Sequence, residues 1–272
     1  MIPLVRASHF QPTAAVTAIA TALAVAVGRG IGGAVAVMLA VLAGQLSVGW
    51  SNDYLDRERD RRTDRTDKPI VAGTVTARAV GMAAVVAVFA CVPLSFLSGW
   101  RAALVHLTAV ALAWAYNAGV KSTRFSVVPY IVAFGVLPVF VTLGLPGHPL
   151  PPWWAVVAAA LLGAGAHFVN TLADLDDDAR VGIRGLPHRL GARGSLVVAA
   201  VLLASAVLVL TIAPAGGAGP LDIVLLVSAL GAVVGVVVAG STGHERGAWS
   251  LTLYVAGLSV VLFLAHGSAL AP

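Results

Sequence analysis

Ten of the twelve acidic residues in this chain stand in two short segments: Asp53, Asp56, Glu58, Asp60, Asp64 and Asp67 in one, and Asp174, Asp176, Asp177 and Asp178 in the other. Each segment carries an amide and two carboxylates spaced by four (Asn52, Asp56, Asp60 and Asn170, Asp174, Asp178), and the two sets are offset by 118 residues at every position. Side chains four apart on a helix share one face, with Cβ atoms about 5–6 Å apart. Each set therefore reads as a row of oxygen donors. Facing carboxylate rows repel unless a cation lies between them. Magnesium suits them, because it takes one or two carboxylates and fills its other positions with water and phosphate oxygens. The expected chemistry is metal-assisted binding of a diphosphate.

Cations flank both rows. Arg57, Arg61, Arg62, Arg65 and Lys68 accompany the first, and Arg180, Arg184, His188 and Arg189 follow the second. A diphosphate needs charge-assisted donors besides metal, and Lys121 and Arg124, just past Tyr116, lie where they can reach the same mouth. Arg65, Lys68 and Lys121 lead this diphosphate-binding set, which also takes in Arg124 and Arg184. His167 lies three residues before Asn170 on the same helix face. With Tyr116 and Asn170 it is a candidate for the pocket of a second, acceptor substrate.

The elements that position these residues are apolar. The 272-residue chain is 59% hydrophobic and 11% charged, against about a quarter charged in soluble domains. Nine apolar runs recur, at about 12–28, 31–50, 77–97, 101–119, 126–145, 153–173, 193–213, 220–239 and 249–269. Each approaches the roughly 20 residues a helix needs to cross the hydrocarbon core. The first run has one preceding basic residue, Arg6, and no clear small-residue cleavage site, so it is expected to be a retained helix. The single cysteine, Cys91, falls inside a run and excludes an intramolecular disulfide or a cysteine metal site. The net charge of +5 sits in short segments between runs rather than on a solvated basic face, so no nucleic-acid partner is expected.

With the N-terminus cytoplasmic, 15 of the 17 Lys and Arg residues fall on the cytoplasmic side, leaving Arg29 and Arg101 outside. Nine crossings then put the C-terminus outside and both acidic rows at the cytoplasmic face. Trp50, Trp114 and Trp249 near inner ends, and Trp100, Trp153 and Trp154 near outer ends, read as interface anchors. The repeated row divides a single membrane domain (1–272) into parallel four-helix pseudo-repeats at about 1–120 and 121–240, with a ninth helix at about 249–269.

The segment NDYLDRERD, residues 52–60, resembles the first motif of the UbiA family of intramembrane prenyltransferases, Asn-Asp-x-x-Asp-x-x-x-Asp, and RTDKPIVAG after it resembles the usual continuation. DLDDDARVGIRG, residues 174–185, resembles the second motif, Asp-x-x-x-Asp followed by Gly-Ile-basic. The resemblance covers the whole chain. It implies an all-α integral membrane bundle of nine helices around a central cavity that opens sideways to lipid. It also implies two Mg²⁺ ions, held by Asp56, Asp60, Asp174 and Asp178 with Asn52 and Asp53 in support. The family's Tyr-x-x-x-Lys is matched with one extra residue between Tyr116 and Lys121.

The implied reaction is loss of diphosphate from an allylic lipid and capture of the cation by an electron-rich acceptor, expected to be aromatic or a quinone precursor. The expected partners are a prenyl diphosphate, a small-molecule acceptor and membrane lipids, and the expected location is the cell membrane. Two readings compete with it. A membrane terpene cyclase would ionise the same lipid without an acceptor, and a divalent-cation transporter would use acidic rings to select its ion.

Overall fold

A computed structural model describes residues 3–172, 174–180 and 182–270, which form helices and turns without a strand among them. The helices are α1 (Pro3–Arg6), α2 (Phe10–Ala26), α3 (Gly30–Arg62), α4 (Ala77–Phe96), α5 (Trp100–Ala118), α6 (Val128–Gly135), α7 (Leu137–Leu143), α8 (Trp153–Leu172), α9 (Leu175–Arg180), α10 (Leu186–Ile212), α11 (Pro220–Ser241) and α12 (Glu245–Ala265). Short 3-10 turns span Val120–Ser122 and Gly267–Ala269.

All nine expected runs fall on helix, and six helices (α3, α4, α8, α10, α11 and α12) are long and apolar enough to cross a membrane. The chain is thus a multi-pass membrane protein by its helices. The fifth run differs from expectation, because it breaks at Val136 into α6 and α7. Pro138 explains the break: it has no N–H to donate and its ring crowds the carbonyl four residues back. α10 begins before its expected run, with a kink at Gly191, whose φ of 69° leaves the helical region.

Packing follows residue size. α3 lies against α2, α4 and α5, α8 against α6, α7, α10 and α12, and α12 meets α2 and α11. Ala20, Ala24, Ala34, Ala40, Ala155 and Ala158 line these interfaces and let backbones approach closely. Large apolar side chains such as Val86, Phe89, Val224 and Val227 face outward instead. Two of the expected tryptophan anchors, Trp100 and Trp153, are exposed. Trp154 is not. It is 4% exposed and stacks on Phe263 at 6.1 Å between ring centroids, because the neighbouring position faces the core rather than the rim.

The feature that positions the site is α3, whose 33 residues reach roughly 50 Å at 1.5 Å per residue. That exceeds a hydrocarbon core of about 30 Å. The helix therefore carries its polar C-terminal third past the apolar layer without a break. The N-terminal segment crosses it at Gly49, where a Cβ would stand 2.2 Å from the Ser8 carbonyl oxygen. Only glycine permits that crossing, which sets His9 beside Asp53.

Candidate functional site

The first acidic row survives intact on α3, and Asp53, Asp56 and Asp60 are all buried. Asn52 Nδ2 donates to Asp56 Oδ2 at 3.0 Å and to Asn117 Oδ1 at 3.3 Å. Asn117 Nδ2 in turn donates to the Val48 carbonyl and to Ser51 Oγ, fastening the row to α5. The 3-10 turn after α5 then delivers Lys121, whose ammonium donates to Asp56 Oδ1. Burial pushes the Lys121 ammonium below its usual range, against the pull of Asp56.

The second row departs from its expected form. α8 stops at Leu172, Asp174 lies in a turn and Asp178 on α9, so the three residues do not share one helix. The Asp174 N–H bonds the Thr171 carbonyl at 3.2 Å, which ends α8, and Asp178 N–H bonds the Asp174 carbonyl at 2.8 Å, which starts the next turn. Asp174 and Asp178 keep their helical spacing across that start. Asn170 remains on α8 and is exposed.

Basic side chains tie the two acidic segments together. Arg59 Nη2 lies 2.9 Å from Asp56 Oδ2 and 3.2 Å from Asp60 Oδ1, while its Nη1 lies 3.7 Å from Asp178 Oδ1. Arg65 Nη1 donates to Asp174 Oδ1 at 2.8 Å, and its other face takes Asp67 in two hydrogen bonds of 2.9 and 3.0 Å. Those bonds hold Asp67 below the usual carboxylate range and raise the Arg65 guanidinium further. Asp178 is pushed up to about 6, chiefly by burial, with Arg59 opposing and Asp174 adding to the rise. His188 Nε2 stands 3.4 Å from Asp178 Oδ2.

Among the described residues, no three His, Cys, Asp or Glu side chains already converge as a metal cage. The donor set nevertheless fits a hard dication. Carboxylates of both rows touch a single guanidinium, so they share one cationic position, and their oxygens are the ligands magnesium takes. A buried atom also lacks a partner there: Asp53 Oδ2 has no hydrogen bond, although Oδ1 receives Lys68 Nζ at 2.7 Å and lies 2.9 Å from His9 Nε2.

On the apolar side of the rows, His167 is 1% exposed and its Nε2 lies 3.1 Å from Ser126 Oγ. Ser126 also accepts the Leu186 N–H at 2.9 Å. Gly185 makes this junction possible, since a Cβ there would meet the Lys121 carbonyl at 2.5 Å. The Tyr130 ring lies 4.7 Å from His167 and 5.2 Å from Tyr116. Deeper still, Val16, Ile19, Phe134, Leu137, Ala159, Leu162 and Ser259 are among the residues lining a narrow apolar cavity of about 50 Å³.

Of the residues proposed from sequence, Asn52, Asp53, Asp56, Asp60, Asp174, Asp178, Arg65, Lys68 and Lys121 come together here, and Tyr116 and His167 border them. Arg124 and Arg184 do not join: both are exposed, and Arg124 lies 4.9 Å from the Phe125 ring centroid. Sequence reasoning missed His9, Arg59, Asn117, Ser126 and Tyr130. Arg59 alone carried a signal, since it stands three after Asp56 and so on nearly the same helix face.

A polytopic helical membrane protein with paired acidic segments at one end of its helices is a narrow class. A model described as the UbiA prenyltransferase family matches residues 13–256, and the chain belongs to that family. It is 32% identical over 174 residues to a 4-hydroxybenzoate octaprenyltransferase of Dechloromonas aromatica (strain RCB), covering 62% of this chain and 56% of that one. It is 28% identical over 151 residues to a digeranylgeranylglyceryl phosphate synthase of Pyrococcus horikoshii, covering 55% and 54%. The matched region thus spans a little over half the length of these relatives. The fold is shared with a UbiA homologue from Aeropyrum pernix K1 (TM-score 0.77, 21% identity, 94% of this chain and 98% of that one). It is shared too with a UbiA homologue from Archaeoglobus fulgidus bound to GPP and Mg²⁺ (TM-score 0.69, 19% identity, 98% of each chain).

Proposed function

We propose that this protein is an Mg²⁺-dependent intramembrane prenyltransferase that ionises a prenyl diphosphate and passes the lipid to a small acceptor, an aromatic or quinone-precursor ring. The observation that carries the reading is the meeting of both acidic segments on one cationic position, Arg59 touching Asp56, Asp60 and Asp178. The relatives' names support a prenyl donor, and the 4-hydroxybenzoate enzyme supports an aromatic acceptor. The Mg²⁺ and GPP bound by the Archaeoglobus homologue support the metal and the diphosphate.

In this reading Asp56, Asp60, Asp174 and Asp178 hold two metal ions, with Asn52 and Asp53 fixing the first row. Bound metal supplies Lewis-acid stabilisation of the departing diphosphate. Lys121, Arg65 and Lys68 add charge-assisted donors to the phosphate oxygens. Arg124 and Arg184, being exposed, are left out. The apolar helix faces around the narrow cavity would part to take the prenyl tail and keep water from the allylic cation. His167, fixed through Ser126, orients the acceptor beside Tyr116 and Tyr130.

Nine membrane crossings, one per expected run with α6 and α7 sharing the fifth, complete the arrangement around that cavity as two pseudo-repeats and a last helix. The N-terminus and the site then face the cytoplasm, in keeping with the positive-inside rule. The test is turnover by purified protein supplied with Mg²⁺ and geranylgeranyl diphosphate, with and without 4-hydroxybenzoate. Prenylated ring is expected. Hydrocarbon formed without acceptor would favour a cyclase, and absence of diphosphate release under all conditions overturns the reading.

A further inference from the structure

Arg59 lies outside the motif positions to which metal and phosphate roles were assigned, yet it makes the central contact of the site. Its guanidinium hydrogen-bonds Asp56 and Asp60 and forms a longer ion pair, 3.7 Å, with Asp178, so that it reaches carboxylates from two segments more than a hundred residues apart. The other basic groups reach the carboxylates of one row only: Lys121 meets Asp56, Arg65 joins Asp174 to Asp67, which lies beyond the first row, and His188 stands near Asp178. Among the described residues, Arg59 is thus the one side chain with ion pairs to both rows. Three carboxylates packed this closely would repel without a cation among them.

We propose that Arg59 is a built-in counter-cation that bridges the two carboxylate rows until divalent metal displaces it, and that the displaced guanidinium then serves the diphosphate. This rests on the prenyltransferase reading, because it uses the same metal position. The physical logic is competition. A guanidinium and a hard dication want the same carboxylate oxygens, and the compact dication wins where several oxygens can close on it. Displacement leaves an arginine anchored on α3 beside the site, with a planar fork that suits phosphate oxygens. The device keeps the mouth assembled between turnovers and links metal entry to the presentation of a phosphate donor.

The consequences differ from those of a purely structural ion pair. Removing Arg59 should weaken the metal-free site but strengthen metal binding, because the metal no longer displaces a competitor. Arg59→Gln is therefore expected to bind Mn²⁺ about tenfold tighter in the absence of any phosphate, a change of roughly 1.4 kcal/mol. Its metal-free melting temperature should fall, and saturating metal should restore it. The order should reverse for inorganic pyrophosphate added to the metal-loaded protein, which the variant should bind more weakly than the parent.

The experiment is titration of detergent-purified full-length protein with Mn²⁺ alone, followed by magnetic resonance of the free ion, then with pyrophosphate at saturating Mn²⁺. Arg59→Lys is measured alongside. A single ammonium on a shorter stem cannot bridge three carboxylates as the fork does, so it should also bind Mn²⁺ more tightly than the parent, if less so than Gln. Unchanged or weaker Mn²⁺ affinity in a folded Gln variant overturns the proposal. If the Gln variant fails to fold without metal, unchanged affinity in the Lys variant overturns it equally. Failure of the parent to bind Mn²⁺ at all would instead sink the underlying prenyltransferase reading, so the two failures are separable.

Discussion

Arg65 Nη1 donates to Asp174 Oδ1 at 2.8 Å, a direct bond between two segments 109 residues apart in the chain. The pair is partly exposed, and pairs of that kind contribute about 0–1 kcal/mol to stability. Its value lies in geometry, since it draws the second acidic segment toward the first. Arg65→Ala is expected to leave the melting temperature within a few degrees of the parent while diphosphate release falls on the order of a hundredfold, a charge-assisted contact to the leaving group being lost. Coupled pyrophosphatase assays measure the release. Normal release from the folded variant would remove Arg65 from the site.

Substitution of the proposed ligands Asp60 and Asp174 should separate metal holding from folding. Asp60 is 2% exposed and engaged by Arg59, whereas Asp174 sits at the start of a helical turn. Asp60→Ala and Asp174→Ala should each abolish release of diphosphate, and each should remove most of the thermal stabilisation that Mg²⁺ gives the parent. Circular dichroism should still report the full helix content. Metal-induced stabilisation that persists in both variants would refute the proposed ligands.

As a proposed ligand, Asp178 should make metal binding depend on pH. Its carboxyl is held up at about 6, chiefly by burial. A raised value means that the folded state binds this proton more tightly than the unfolded one. The associated stability of the metal-free protein is full below the ordinary carboxylate range near 4 and is lost as pH rises through about 6. A metal ligand must be ionised, so the metal's contribution runs the other way. The Mg²⁺-induced rise in melting temperature should be small at pH 5 and reach a plateau above pH 7. Asp178→Asn should flatten that profile, and a parent profile already flat from pH 5 to 7 would remove Asp178 from the ligand set.

The sequence disclosed the helices and the first row because both are local. Apolar runs and spacing by four need nothing from elsewhere in the chain, and α3 carries Asn52, Asp56 and Asp60 on one uninterrupted helix. The second row was legible in its residues but not in its form, because the end of α8 depends on a turn bond from Asp174 to Thr171. Arg124 and Arg184 illustrate a different limit: the positive-inside rule places basic residues at this face whether or not they reach the site. His9, Asn117 and Ser126 were invisible for the opposite reason. Each matters only through a partner distant in sequence (Asp53, Asn52 and His167), brought close by the crossing at Gly49 or by packing of α3 and α8 against their neighbours.

The apolar cavity between α2, α6, α8 and α12 should govern which prenyl chains are accepted. Its wall includes Ala159, a small residue 8% exposed, facing Val16, Ile19 and Ser259 across the space. Ala159→Val would narrow the cavity that a long tail must enter while leaving the carboxylate rows untouched. Overpacking a well-packed core costs about 1–3 kcal/mol, but the two added methyl groups can occupy empty volume here. The variant should therefore remain folded and still release diphosphate from dimethylallyl diphosphate at close to the parent rate. With geranylgeranyl diphosphate its kcat/KM should fall at least tenfold, mostly through KM, because the tail loses apolar contact and the metal site does not change. Equal losses on the short and the long substrate would mean that the cavity is not the tail site and that the substitution acts through the acidic mouth instead.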